Sequence, residues 1–224
     1  MLPKAAIGQG PKIRIGYVAG EFRNQATSVL LTQALEQHDA SRFEVFAFDN
    51  GWDDGSTLRR RIEAATTIVP IRDIDNLQAA RTVREHRIDI LVNLNGYFGR
   101  TRTPLFSLRA APIQVNYLGF PGTIGAPYID YLIADRTVIP PDDRRHYSEQ
   151  VVYLPDAYQP NDSTRRPAEG LTRADAGLPD DAFVFCCMNH VFKIMPKVFD
   201  VWMRVLTQVP GSVLMLYSDN AETQ

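Results

Sequence analysis

Four short stretches carry side chains that could do chemistry, and each follows an apolar run that reads as a strand. The first is Glu21-Phe22-Arg23-Asn24-Gln25-Ala26-Thr27-Ser28, with a carboxylate and a carboxamide on one loop. Glu21 is a candidate base. Gln25 can donate and accept hydrogen bonds but takes no proton at neutral pH. Asn24, Thr27 or Ser28 equally suits the cap of a following helix. The second stretch is Asn95-Gly96-Tyr97-Phe98, polar then aromatic, which also fits ordinary loop packing. The third runs from Leu118 to Gly125 and places Gly119, Pro121, Gly122, Gly125 and Pro127 within nine residues. Glycine lets backbone N–H groups approach a ligand closely because no Cβ intervenes. A proline-stiffened surface connection has the same composition. The fourth is Asn189-His190-Val191-Phe192-Lys193, ahead of a helix starting at Pro196. A cation beside a helix N-terminus is placed to stabilise an anion such as a diphosphate. A lone loop lysine also reads as solvated surface.

The elements that must position these stretches alternate. Lys12 to Val18 reads as a strand, Ser28 to Glu36 as an apolar-periodic helix, and Phe43 to Phe48 as a second strand. Asp53-Asp54-Gly55 turns the chain into a charged helix, Ser56 to Ala64. A short strand, Thr67 to Ile71, precedes a helix, Asn76 to His86. Ile88 to Leu94 is a continuous apolar run of the kind buried on both faces of a parallel sheet. Thr103-Pro104 opens a short helix, with threonine as cap and proline in the first helical position. Strands follow at Ile113 to Tyr117, Tyr128 to Ala134 and Gln150 to Leu154. Strands alternating with helices at this spacing imply right-handed parallel βαβ units. In such sheets ligands sit at the carboxyl ends of strands, so the four stretches are expected to converge on one cleft.

The character changes after Asp156. Asn161-Asp162-Ser163-Thr164-Arg165-Arg166-Pro167 is polar and turn-rich, and 156–178 reads as a linker. A single helical turn is expected at Thr172 to Ala176. Phe183 to Met188, a helix from Pro196 to Gln208, and Val213 to Tyr217 then start a new sheet. The domain reading is a flexible 1–11, a first domain over 12–155, the linker, and an incomplete second domain over 179–224. Its open apolar edge invites association.

Composition excludes several classes. The chain has 224 residues, 45% of them hydrophobic and 22% charged, which is globular. A net charge of -2 offers no basic field for nucleic acid. The first ten residues lack the apolar core of a secretory leader, and no apolar run reaches the roughly 18 residues of a membrane span. Adjacent Cys186 and Cys187 are expected to be buried thiols in a reducing, cytoplasmic setting. No His, Cys and carboxylate spacing marks a metal site. His86 reads as a surface residue, as does His146 in its run of charges. No helical repeat of about 34 residues is present, and no G-x-G-x-x-G follows the first strand.

The run from Arg109 to Tyr131, R-A-A-P-I-Q-V-N-Y-L-G-F-P-G-T-I-G-A-P-Y-I-D-Y, resembles the signature of the SPINDLY-like protein O-GlcNAc transferase family. The likeness extends, with gaps, from about Lys12 to Tyr217. It implies an α/β, GT-B-like fold: one complete Rossmann-type parallel-sheet domain followed by the beginning of a second. It further implies inverting transfer of GlcNAc from UDP-GlcNAc to Ser or Thr of a protein, without cofactor or metal. Asn189 to Lys193 is similar to the family's Asn-Gln-Leu-Tyr-Lys, which puts the family's diphosphate-contacting lysine on Lys193, its glutamine on His190 and its tyrosine on Phe192. Glu21 to Ser28 is similar to Asp-Phe-x-Asn-His-x-Thr-Ser. The family's aspartate falls on Glu21 and its histidine on Gln25, with Asn24 and Thr27 among the substrate-contacting positions. Asn95 to Phe98 is similar to Asn-Gly-Tyr-Thr. There Tyr97 takes the acceptor-side position, Asn95 joins the binding residues, and Phe98 replaces a hydroxyl. Leu118 and Gly119 match positions that touch the transferred sugar, and Pro121, Gly122 and Thr123 continue that stretch.

Three readings follow. In the first, the chain is a piece of a catalytic region, whose protein acceptors are recruited by a tetratricopeptide-type region or partner chain outside this sequence. In the second, Gln25 and Phe98 mark an inactive or partner-dependent remnant, so that the chain alone transfers little or no sugar. In the third, a relative transfers another sugar, such as fucose from GDP-fucose.

Overall fold

The computed structural model describes residue 8 and residues 10–218, in two compact units, Met1–Arg165 and Arg166–Gln224. Most of the expected flexible N-terminus, 1–11, lies outside the described residues, as do the last six residues of 179–224.

In the first unit seven strands pair in parallel: β1 (Ile13–Ala19), β2 (Phe43–Asp49), β3 (Thr67–Pro70), β4 (Ile90–Asn93), β5 (Ile113–Asn116), β6 (Tyr131–Ala134) and β7 (Gln150–Tyr153). Their order is β3-β2-β1-β4-β5-β6-β7. The chain builds outward from β1 in one direction and then returns to start in the other. The point of reversal, between the carboxyl ends of β1 and β4, is where such sheets open a crevice.

Helices cover both faces, and the strand period of two sends neighbouring residues to opposite sides. Phe46, Phe48 and Leu91 pack with Ala79, Ala80 and Val83 of α3 (Asn76–Glu85) and with Leu105 and Phe106 of α4 (Thr103–Ser107). Ala47 and Val92 pack on the other side with Leu31 and Leu35 of α1 (Ala26–Glu36) and Ile62 of α2 (Thr57–Ala65). Gly16 makes room for this core: a Cβ there would stand 2.7 Å from the Phe48 ring.

Three local expectations are corrected. Asn24, Thr27 and Ser28 do not cap α1. Its cap is Gln25, without a side-chain bond, and the Ser28 hydroxyl donates instead to the Glu21 carbonyl at 2.5 Å. Thr103 lies inside α4, capped by Arg102, and its hydroxyl donates to the Gly96 carbonyl at 2.9 Å. In both places the hydroxyl ties a distant or preceding loop rather than an orphan helix N–H. His86 is half-buried, edge-on to Phe46 and Phe48 at 5.5 and 5.8 Å, with Nδ1 bonded to the Thr82 carbonyl of its own helix at 2.8 Å. Its aromatic partners lie some forty residues upstream, across the sheet, where local sequence gives no sign of them.

After β7 the chain packs back on the first unit. Tyr158 N–H donates to Asp135 at 2.8 Å, Ser163 N–H to Gln33 at 2.9 Å, and Arg61 donates to Asp162 at 2.6 Å. The Arg61 guanidinium, then the Thr164 hydroxyl, hold the Asp162 carboxyl down at about 2 from its ordinary 3.8. A depressed folded-state value means that Asp162 stabilises the docked segment fully above the ordinary value and loses that contribution as pH falls through about 2. Acidification from pH 4 to pH 2 is therefore expected to loosen residues 158–165 ahead of the sheet. Carboxyl NMR shifts with amide exchange check this; a normal Asp162 titration would refute it.

The second unit holds β8 (Val184–Cys187) and β9 (Val213–Leu216), paired in parallel, and α5 (Pro196–Gln208). A 3-10 turn occupies Ala174–Ala176, within the stretch expected to turn. No residue of α5 is buried. The buried thiols expected at Cys186 and Cys187 are also corrected: Cys186 is exposed and Cys187 half-buried. Among the described residues this unit has two strands and one α-helix.

Candidate active site

Three of the four stretches meet at the crevice between β1 and β4. Gly20 N–H donates to Asn95 Oδ1 at 3.3 Å, while Asn95 Nδ2 donates to Glu21 Oε2 at 2.6 Å. Arg100 N–H donates to Glu21 Oε1 at 3.2 Å. One buried carboxylate, 5% exposed, thus joins the loop after β1 to the loop after β4. A Cβ on Gly99 would stand 2.6 Å from Glu21 Oε1, so this junction needs glycine beside it.

The end of β4 sets the second loop. Asn93 is buried, and its Oδ1 accepts from Asn95 and Gly96 N–H at 3.2 and 3.0 Å, turning the chain sharply. Tyr97 is exposed over half its surface, yet its hydroxyl donates to the Ile124 carbonyl at 2.6 Å and its ring meets Phe120 edge-on at 5.7 Å. That binds the second loop to the third. Phe98 is exposed beside it.

The third loop starts from a strained residue. Leu118 has φ +76°, a conformation a branched side chain adopts only when its surroundings enforce it. Burial of the Leu118 side chain in the core supplies the constraint. Gly119 N–H donates to the Leu94 carbonyl at 3.0 Å, and a Cβ on Gly119 would stand 2.4 Å from that oxygen. Pro121 and Gly122 are half-buried, and Asn116 Nδ2 donates to the Phe120 carbonyl at 2.9 Å. The loop closes on Glu149, which accepts from Thr123 Oγ1 at 2.6 Å and Ile124 N–H at 2.7 Å.

At the mouth, Asn24 and Gln25 are exposed, and Asn24 N–H donates to Asp54 at 2.8 Å; Thr27 is buried behind them. The arrangement offers exposed amides and aromatics above a rigid hydrogen-bonded floor, with Glu21 in the floor. Sequence reasoning singled out Glu21, Asn95, Tyr97 and the glycine loop. It passed over Asn93, Arg100 and Glu149, the residues that fix them. A polar Asn ending an apolar run was the one available signal, at Asn93.

The fourth stretch belongs to the second unit. Lys193 ends the 3-10 turn Val191–Lys193, is exposed, and precedes the first turn of α5 by three positions. His190 stacks on Phe192 at 5.7 Å and meets Tyr217 edge-on at 5.5 Å. A cavity of about 430 Å³ lies between the end of β8 and α5, lined by Cys187, Met188, Asn189, Trp202 and Leu206 among others. Among the described residues no group of three or more His, Cys, Asp or Glu is disposed to hold a metal ion.

Comparison with known proteins agrees with this architecture. The sequence matches the model of Glycosyl transferase family 41 over residues 2–167 and 165–223. It is 37% identical over 222 residues to the probable UDP-N-acetylglucosamine–peptide N-acetylglucosaminyltransferase SEC of Arabidopsis thaliana, covering 96% of this chain and 23% of that one. It is 33% identical to the enzyme of the same description named SPINDLY from that plant, covering 91% and 22%. A solved lysine-to-methionine mutant of the Thermobaculum terrenum O-GlcNAc transferase superposes with a TM-score of 0.81 at 30% identity, over 96% of this chain and 41% of that one. The chain spans about a quarter of the length of these curated relatives.

Proposed function

Because this chain belongs to glycosyl transferase family 41 and carries a GT-B-type α/β fold, we propose that it is the part of a protein O-GlcNAc transferase that holds the acceptor side and opens the donor side. The reaction is inverting transfer from UDP-GlcNAc. A Ser or Thr hydroxyl oxygen of the acceptor attacks the anomeric carbon, the bond from that carbon to the diphosphate oxygen breaks, and UDP departs carrying the negative charge. Lys193 stabilises that charge, aided by the N-terminus of α5. The hydroxyl proton passes to a base or to water at the mouth near Glu21 and Gln25.

The observation that carries this reading is the single hydrogen-bonded junction of Glu21, Asn95 and Arg100 at the sheet's switch point. It joins two of the stretches that resemble the family's motifs. Titration calorimetry of the purified chain with UDP is the test, with saturable binding expected. A folded chain that gives no heat with UDP would move the reading to a remnant without a donor site.

Two observations favour that second reading. Gln25 stands exposed at the mouth and accepts no proton, and Phe98 presents a ring where the family has a hydroxyl. The sugar is tested in the same experiment: tighter binding of GDP than UDP favours a fucosyl donor.

A further inference from the structure

The loops after β1, β2, β3 and β4 bring three guanidinium groups around one indole. Trp52, 40% exposed, has Arg23 at 3.8 Å, Arg100 at 5.0 Å and Arg72 at 5.8 Å from its ring. Three like charges repel at this range, and stacking on the indole offsets only part of that cost. The neighbouring acids are otherwise engaged. Asp49 is bonded to Arg59 and Gly51 N–H, Asp53 to Arg60 and Gly55 N–H, and Asp54 to Asn24 and Ser56 N–H. Asp73 approaches Arg72 at 3.9 Å, with its side chain 94% exposed. Arg72 has that one long contact, and among the described residues no ion pair engages Arg23 or Arg100, so the cluster keeps a surplus of positive charge on a chain whose net charge is -2.

We propose that this cluster docks an acidic segment of the acceptor polypeptide; the assignment of an acceptor rests on the transferase reading above. Extent favours a segment bearing several carboxylates. The backbone N–H groups of Arg23, Asn24, Gly51 and Arg100 already donate within the protein, so these four are not free to cradle a phosphate. The three guanidiniums are spread around one indole, 3.8 to 5.8 Å from its ring, and their planar N–H edges pair with carboxylates bidentately. Position favours an acceptor. Arg100 shares its loop with Phe98, exposed over half its surface, and its N–H holds Glu21 at the crevice. Acidic residues flanking the reacting Ser or Thr would steer and align it.

The chain has two tryptophans, so a Trp202→Phe background makes Trp52 the sole reporter. A decapeptide of alternating glutamate and serine is expected to change Trp52 emission saturably, and its lysine-for-glutamate analogue is not. Arg72→Glu is expected to weaken peptide binding roughly tenfold or more, with UDP calorimetry unchanged. No response to the acidic peptide, or an equal response to inorganic phosphate or a single-stranded oligonucleotide, overturns the proposal. So does loss of UDP binding in a folded Arg72→Glu variant, which would make the cluster part of the nucleotide site. The parent's discrimination between the two peptides decides the matter even if the Arg72→Glu variant does not fold. UDP heat reads the transferase assignment separately, so the two can fail independently.

Discussion

Lys193→Ala is expected to abolish UDP binding in calorimetry and to lower sugar transfer by about a hundredfold to a thousandfold wherever transfer is measured. Bond cleavage puts charge on the leaving diphosphate, and a cation fixed in advance lowers that barrier without reorganising. The backbone of Lys193 is held by a turn whose N–H groups bond back to His190 and Val191 carbonyls at 2.9 Å. The thirteen-residue α5 behind it adds its N-terminal dipole. Lys193→Arg keeps the charge but moves it on a planar fork, and is expected to retain binding better than activity. Unchanged UDP affinity in the alanine variant would remove Lys193 from the diphosphate.

Arg59→Met is expected to destabilise the first unit by about 3–5 kcal/mol, because breaking a buried ion pair leaves one charge uncompensated. Arg59 and Asp49 side chains are each 6% exposed and meet at 2.6 Å. The same Arg59 nitrogen donates to the Phe22 carbonyl at 3.0 Å, and Nε donates to Glu63 at 2.9 Å. Asp49 also accepts from Gly51 N–H at 2.7 Å, so the pair holds the loops after β1 and β2 together. Pairing Arg59→Met with Asp49→Asn removes the orphaned charge and is expected to recover a large part of the loss. Urea unfolding of both variants measures the difference; equal destabilisation would show that packing, not charge, dominates.

Much of the scaffold was legible because it is locally encoded. Apolar runs such as Ile88 to Leu94 mark strands buried on both faces, and Pro104 and Pro196 mark helix starts. The glycines of the third loop were legible too, since Gly119 lies against the Leu94 carbonyl. What was not legible depends on partners distant in sequence. Glu21 reads as a free base in its own loop, yet it meets Asn95 across 74 positions. Thr103 reads as a cap, yet it serves Gly96. Trp52 with its arginines is assembled from four loops, none of which shows a motif. His86 and the two cysteines failed for the same reason: exposure belongs to what covers a residue, not to the residue.

The strand order has a consequence for how the protein is made. β1 leaves the ribosome before the other six strands of its sheet but lies in the middle of it, between β2 and β4. Its edge toward β4 stays open from Ala19 until Ile90 is synthesised. At roughly 5–20 residues per second that edge waits several seconds, with β2 and β3 already able to pair on the far side. Nascent chains therefore pass through a half-sheet with a long apolar flank, the kind of species that chaperones shield. Substitutions that slow the pairing of β4 or β5 would then show first as insoluble product during expression, before any change in the crevice could be measured.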